Sequence, residues 1–354
     1  MTLDDLRTFT DVFNQVRGHY VEEIGDRALI HAAIEGLVTG LDPYSQYLSP
    51  AEFRDLDDSS RGRYAGIGVT IEIREQRIHV DSVVVDGPAQ RAGLQAGDLI
   101  TAVNGRPVKG RNLREAVNEL RGPPGSEVEV EYLRRPDAPT TVVVTREYIT
   151  VNSVASERVA EHFGYFRISH FNEHSAADLQ AAIEDVQQGG GQPLRGIVLD
   201  LRANPGGNLK PAIDIADGFL TEGRIMHSRG RFPAAEMTFE ATPGEWAQGV
   251  PMAVLVDRQT ASASEVLAGA LQDHQRARIV GERTFGKGSV QSILALRNGG
   301  GLKLTTAHYF TPLGRSIQDT GIHPDLEVDA QPDEAGMADP ALNGAIEWLQ
   351  GETG

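Results

Sequence analysis

Gly196-Ile197-Val198-Leu199-Asp200-Leu201, followed at once by Arg202-Ala203-Asn204-Pro205-Gly206-Gly207, is the stretch on which the fold turns. A strand with one wet face alternates apolar and polar residues. This run does not, and a continuous apolar strand marks a sheet covered on both faces. Met252 to Val256 repeats the pattern. Asn-Pro and Gly-Gly form a turn after the first run, and a helix is expected after the second, from about Ser262 to His274. Another helix reads from Ser175 to Val186, with Ser175 as its cap and Asp178 three residues on. Further strands are expected at Tyr165 to Ile168, Arg278 to Gly281, Ser289 to Leu296 and Leu302 to Thr306. Strands and helices alternate, so residues 148–330 predict an α/β core.

Upstream, residues 59–147 predict a separate α+β module. Val69, Ile71 and Ile73 alternate with Thr70, Glu72 and Arg74, as in a half-buried strand. Asn112-Leu113-Arg114-Glu115 reads as a capping box opening a short helix. Gly122-Pro123-Pro124-Gly125 turns the chain into a closing pair of strands. Residues 1–58 read as helical. Leu6, Phe9, Val12, Phe13, Val16 and Tyr20 form an amphipathic stripe, a second helix covers Asp26 to Val38, and Ser49-Pro50-Ala51-Glu52 opens a third. So small a helical unit must pack on something, a second copy of itself included. Residues 331–338 read as loose, within a C-terminal linker and helix spanning 331–354.

The chain has 354 residues, 33 Lys and Arg against 50 Asp and Glu, a net charge of −17 and no cysteine. No basic block suits nucleic acid. Disulfides, Cys-ligated metal and a Cys nucleophile are all excluded. No metal-ligand cluster stands out and no cofactor is implied; P-loop spacing is missing too. No apolar run is long enough to cross a bilayer. The opening Met1-Thr2-Leu3-Asp4-Asp5 lacks signal-peptide features.

Thr260-Ala261-Ser262-Ala263-Ser264-Glu265 follows a buried strand and starts a helix. Ser262 with Glu265 reads plainly as a capping box. The same geometry suits a nucleophile, because free N–H groups and the positive helix end stabilise an oxyanion. Such a serine needs a base. His274 and His308 lie nearest in sequence to the site segments, but neither has a triad setting. Lys287, in Gly286-Lys287-Gly288, reads as a solvated loop charge or as a buried base. A base must be neutral near pH 7 against an ordinary pKa of about 10.4; a fall of about 3 corresponds to roughly 4 kcal/mol, which burial can supply. The Asn204-Pro205-Gly206-Gly207 loop is either a plain turn or a second oxyanion donor.

Together these segments resemble the carboxy-terminal processing peptidases, a family of Ser–Lys proteases, over nearly the whole chain. The motifs are Ser262-Ala263-Ser264-Glu265, then Gly286-Lys287-Gly288 after a gap of 25 residues, then Gln291. The resemblance implies a ClpP/crotonase-like α/β core with Ser262 as nucleophile, Lys287 as general base and Gln291 orienting the lysine. Ala263 and either Gly206 or Gly207 are implied as oxyanion donors. Ser264 is a rival nucleophile that would face away from Ser262. Residues 59–147 resemble a PDZ domain whose carboxylate-binding loop is Gly66-Ile67-Gly68-Val69, with the helix from Leu113 as the far wall of the groove. Leu41-Asp42-Pro43-Tyr44-Ser45 is similar to the family's N-terminal hallmark. The resemblance further implies protein substrates with accessible C-termini, a homo-oligomer, a possible adaptor protein, and a periplasmic or cell-envelope location. A non-catalytic peptide-binding scaffold and an adaptor-dependent protease inactive alone are the rival readings.

Overall fold

The computed structural model describes residues 2–134, 138–160, 162–189, 192–328 and 339–352. The segment 331–338, expected to be loose, therefore lies outside the described residues. The N-terminal segment holds helices α1 (Leu3–His19), α2 (Asp26–Thr39) and α3 (Pro50–Ser60), with strand β1 (Gln46–Leu48) between the last two. Thr2 caps α1 and Ser49 caps α3, each through a reciprocal capping box. The amphipathic stripe of α1 forms, yet none of its residues is buried. The unit is not purely helical, because β1 joins a core sheet by pairing antiparallel with residues 301–303.

The chain enters the next module on β2 (Arg63–Gly66) and leaves on β9 (Glu147–Thr150), and these two strands pair antiparallel. Between them lie β3 (Val69–Arg74), β4 (Arg77–Val83), α4 (Pro88–Arg91), β5 (Leu99–Val103), β6 (Arg106–Pro107), α5 (Leu113–Leu120), β7 (Glu127–Leu133) and β8 (Thr140–Thr145). The sheet order is β3-β4-β5-β7-β8, with β6 beside β5, which leaves β3 at an edge. The module packs its own core around Ile78, Leu94, Ile100, Val103 and Val130. Asn112 caps α5 through the N–H of Arg114 rather than that of Glu115, so the expected capping box is only a single cap.

The core follows with β10 (Val154–Val159), β11 (Phe163–Ile168), α6 (Ser175–Gly189), β12 (Gly196–Asp200), α7 (Leu209–Phe219), β13 (Arg224–Gly230), β14 (Thr238–Glu240), β15 (Met252–Val256), α8 (Ala263–Asp273), β16 (Arg278–Gly281), β17 (Ser289–Ala295), β18 (Gly301–Phe310), β19 (Leu326–Glu327) and α9 (Pro340–Glu352). One sheet runs β10-β11-β12-β15-β16-β19 and is parallel from β11 onward. The continuous apolar runs sit at its centre. Ile197, Leu199, Met252 and Val254 face the helices α6, α7 and α8, while Val198, Ala253 and Leu255 face α9. A second sheet runs β1-β18-β13-β14, with β17 beside β18. Ser175 is not the cap of α6 but its first residue; its hydroxyl accepts the N–H of Asn172, whose own side chain takes the N–H of His174. Among the described residues no helix is long and apolar enough to cross a membrane.

Candidate active site

Parallel strands deliver their following loops to one end of the sheet, and α/β sites gather there. The loops after β12 and β15 meet at that end and are stitched together. The buried carboxylate of Asp257 accepts the N–H groups of Ala203, Gln259 and Thr260. The hydroxyl of Thr260 donates to the Leu201 carbonyl at 2.9 Å. The N–H of Ala261 reaches the Asn204 carbonyl at 3.0 Å.

Ser262 follows in a strained turn, with φ 59° and ψ −116°. A residue with a Cβ rarely adopts this conformation, which costs of order 1–3 kcal/mol and collects at functional sites. The turn sets Ser262 immediately before α8, half-buried beside the N–H of Ala263. Gly206 lies against it so closely that an added Cβ would come within 2.9 Å of the Ser262 Cβ and 3.1 Å of the Ala263 nitrogen. Of the glycine pair, Gly206 donates its N–H to the Asn204 side chain at 2.9 Å. Gly207 is exposed, and among the described residues its N–H has no main-chain partner. Ser264 is fully buried and its hydroxyl donates to the Asn204 carbonyl at 3.1 Å.

Glu265 forms the expected capping box with Ser262, and its carboxylate accepts the Ser262 N–H at 2.7 Å. The same oxygen accepts the N–H of Lys287 at 2.9 Å. The two loops, 25 residues apart in sequence, thus converge on one atom. Lys287 is half-buried, and burial, helped by the charge of Lys303, holds its pKa below the ordinary lysine value; the charge of Glu265 opposes them. Its amine lies over the ring of Tyr44, 5.0 Å from the centroid. Among the described residues no hydrogen bond joins that amine to the Ser262 hydroxyl. Gln291 donates from Nε2 to the Thr305 hydroxyl at 2.9 Å and to the Ser289 hydroxyl at 3.2 Å, and its buried Oε1 has no partner among the described residues. Thr305 in turn donates its N–H to the hydroxyl of Ser45, which is held by Asp42.

Sequence reasoning missed several of these groups. Asp42, Tyr44 and Ser45 were visible only as a hallmark, with no sign that they reach β18 and Lys287. His274 caps α8 at its far end, bonded to the Arg224 carbonyl, about 18 Å along the helix from Ser262. His308 is exposed on β18, opposite Ser289. His170 precedes Phe171, whose N–H donates to the Gly206 carbonyl. Burial holds the pKa of His170 down. Only the strand register could have shown this.

In the module, Gly66-Ile67-Gly68-Val69 links β2 to β3, with Gly68 at φ 76°. A groove of about 90 Å³ runs between this loop with Val69 and Ile71 on one side and Val117, Leu120 and Arg121 on the other.

Residues 162–328 match the sequence model of peptidase family S41, and residues 79–134 match that of the PDZ domain. The carboxy-terminal-processing protease of Bartonella bacilliformis is 43% identical over 330 residues, covering 93% of this chain and 76% of the relative. The carboxyl-terminal-processing protease of Synechocystis sp. is 36% identical over 350 residues, covering 95% and 81%. Among solved structures, a photosystem II D1 C-terminal processing protease superposes with a TM-score of 0.55 at 30% identity, covering 95% of this chain and 96% of that one.

Proposed function

Since the chain belongs to the carboxy-terminal processing proteases of peptidase family S41, we propose that it cleaves protein substrates near their C-termini with Ser262 as nucleophile and Lys287 as general base. It is a serine peptidase with a PDZ domain; the assignment of the two residues is our own. The observation that carries it is the convergence of the Ser262 and Lys287 N–H groups on one oxygen of Glu265.

In the reaction, the Lys287 amine leaves the Tyr44 ring and takes the Ser262 hydroxyl proton as the oxygen attacks the substrate carbonyl carbon. The carbonyl oxygen becomes an oxyanion held by the N–H groups of Ala263 and of the glycine loop. Gly207 suits this better than Gly206, whose N–H is already given to Asn204. The Lys287 ammonium then protonates the leaving amine, and water, deprotonated by the same lysine, releases the acyl group. Gln291 fits as the lysine's orienting partner, because its unpaired Oε1 can accept from the amine.

The PDZ groove is read as the site for the substrate's C-terminus. The loop of residues 66–69 takes the carboxylate, and the peptide adds along the free edge of β3. The domain division 1–58, 59–147, 148–330 and 331–354 is retained as part of this reading. The unburied stripe of α1 supports assembly with a second copy. By family likeness the enzyme works in the periplasm or cell envelope.

Cleavage of an unfolded protein by the wild type, Ser262→Ala and Lys287→Ala tests the dyad. Both variants are expected to lose at least about 10³-fold in kcat. Activity that survives Lys287→Ala removes lysine as the base. Failure of all three proteins points to an adaptor-dependent enzyme or a binding scaffold.

A further inference from the structure

Glu265 has no exposed surface. An ordinary helix-capping glutamate is solvated and serves one N–H at its own helix start. This one serves four donors, three of them from another loop. Oε1 accepts the Thr284 hydroxyl at 2.6 Å and the Gly286 N–H at 2.7 Å, and Oε2 accepts the N–H groups of Ser262 and Lys287. Thr284 extends the reach further, because its hydroxyl accepts the N–H of Ile322 at 2.7 Å. A buried carboxylate is costly unless its oxygens are fully bonded. Here three of the four donors lie on the segment that carries Lys287, two of them main-chain N–H groups.

We propose that Glu265 is a positioning residue of the hydrolytic reaction, its carboxylate latching the Lys287 loop to the Ser262 turn. This rests on the Ser262–Lys287 reading above. The latch works at the main chain, so the lysine side chain stays free to swing between Tyr44 and the serine while its root stays fixed. An amide at this position has one acceptor oxygen for four donors and turns its NH₂ toward the others. Loosening reacting groups by about 1 Å costs on the order of 10²-fold in rate. The carboxylate also acts through its charge. Three groups from three elements flank the Lys287 amine: Tyr44 from the N-terminal segment and Glu265 from α8 favour the ammonium, whereas Lys303 from β18 disfavours it. Removing the Glu265 charge therefore lets Lys287 lose its proton at lower pH.

The test is the pH dependence of kcat and KM for cleavage of an unfolded protein by Glu265→Gln, Glu265→Asp and Thr284→Val, beside the wild type, Ser262→Ala and Lys287→Ala. Thermal unfolding reports whether each variant is folded. Glu265→Gln is expected to lose about 30- to 100-fold in kcat, with KM within about two-fold, and to shift the acid limb of the profile to lower pH. Glu265→Asp keeps the charge and shortens the reach, so its kcat falls while its acid limb stays. A folded Glu265→Gln enzyme with wild-type kcat, or with an unmoved acid limb, overturns the proposal. If Glu265→Gln does not fold, Thr284→Val decides: a loss of about five-fold in kcat at unchanged KM supports the latch, and wild-type kcat overturns it. An active Lys287→Ala variant sinks the dyad itself, whereas an inactive one beside a fully active Glu265→Gln sinks only the latch.

Discussion

The Ser262 half of the proposed active site and the Lys287 half are built differently. Around Ser262 nearly every polar group is committed: Asp257, Asn204, Thr260, Ser264 and Glu265 are buried and bonded to main chain. Around the Lys287 side chain the bonding is unfinished. The amine rests on an aromatic face, and a buried amide oxygen on Gln291 waits for a donor. A rigid half keeps electrostatic stabilisation in place before substrate arrives, so that no reorganisation is needed at the moment of reaction. An unfinished half leaves the rate open to whatever brings the amine across.

The sharpest way to break this contrast is at the strained turn. Ser262→Gly removes the hydroxyl and also the Cβ that makes φ 59° costly. Activity is expected to fall at least about 10³-fold. Relief of strain, less the entropy glycine adds to the unfolded chain, leaves a net gain of about 1 kcal/mol over Ser262→Ala. That corresponds to roughly 2 °C or more in Tm. Equal melting temperatures for the two variants show that the nucleophile half stores no strain.

A smaller effect is expected on the base side. Gln291→Glu places a carboxylate where the unpaired amide oxygen stands. A negative charge there favours the Lys287 ammonium, whereas the proposed dyad works with the neutral amine. The acid limb of kcat/KM therefore moves up by about one pH unit, and activity below the limb falls about ten-fold. A limb that stays in place means Oε1 does not face the amine during turnover, and the base half is then finished in some other way.

How much of this was legible depends on the range of the forces. The doubly covered sheet was plain, because Ile197 and Val198 must both be apolar if both faces are buried. The serine and lysine motifs were local and carried the family likeness. The conformation of Ser262 was not legible, since nothing in Ala261-Ser262-Ala263 demands a positive φ, and the close approach of Gly206 to the turn appears only in the folded chain. Helix α7 was hidden behind the glycine loop, β1 joins the sheet through β18, and β13 lies between β18 and β14. The box expected at Asn112 and the cap expected at Ser175 failed for one reason: short polar side chains have several nearby N–H groups to choose from, and the spacing alone does not select one. Tyr44 lay beyond any pattern, because its partner is on a loop more than two hundred residues away.

Tyr44 gives the smallest expected effect and the finest reading of the unfinished half. An aromatic face attracts a cation but not a neutral amine, so its contact with Lys287 favours the protonated form, which the proposed dyad cannot use as a base. The contribution of a partly exposed pair is about 0.5–1 kcal/mol, which converts to a displacement of roughly half a pH unit. In Tyr44→Leu the acid limb of kcat/KM should move that far toward lower pH, raising activity two- to four-fold under mildly acidic conditions while the alkaline plateau stays the same. Tyr44→Phe keeps the ring and should follow the wild type. If leucine and phenylalanine behave alike, the ring does not hold the lysine in solution, and the base half owes its depressed pKa to burial and Lys303 alone.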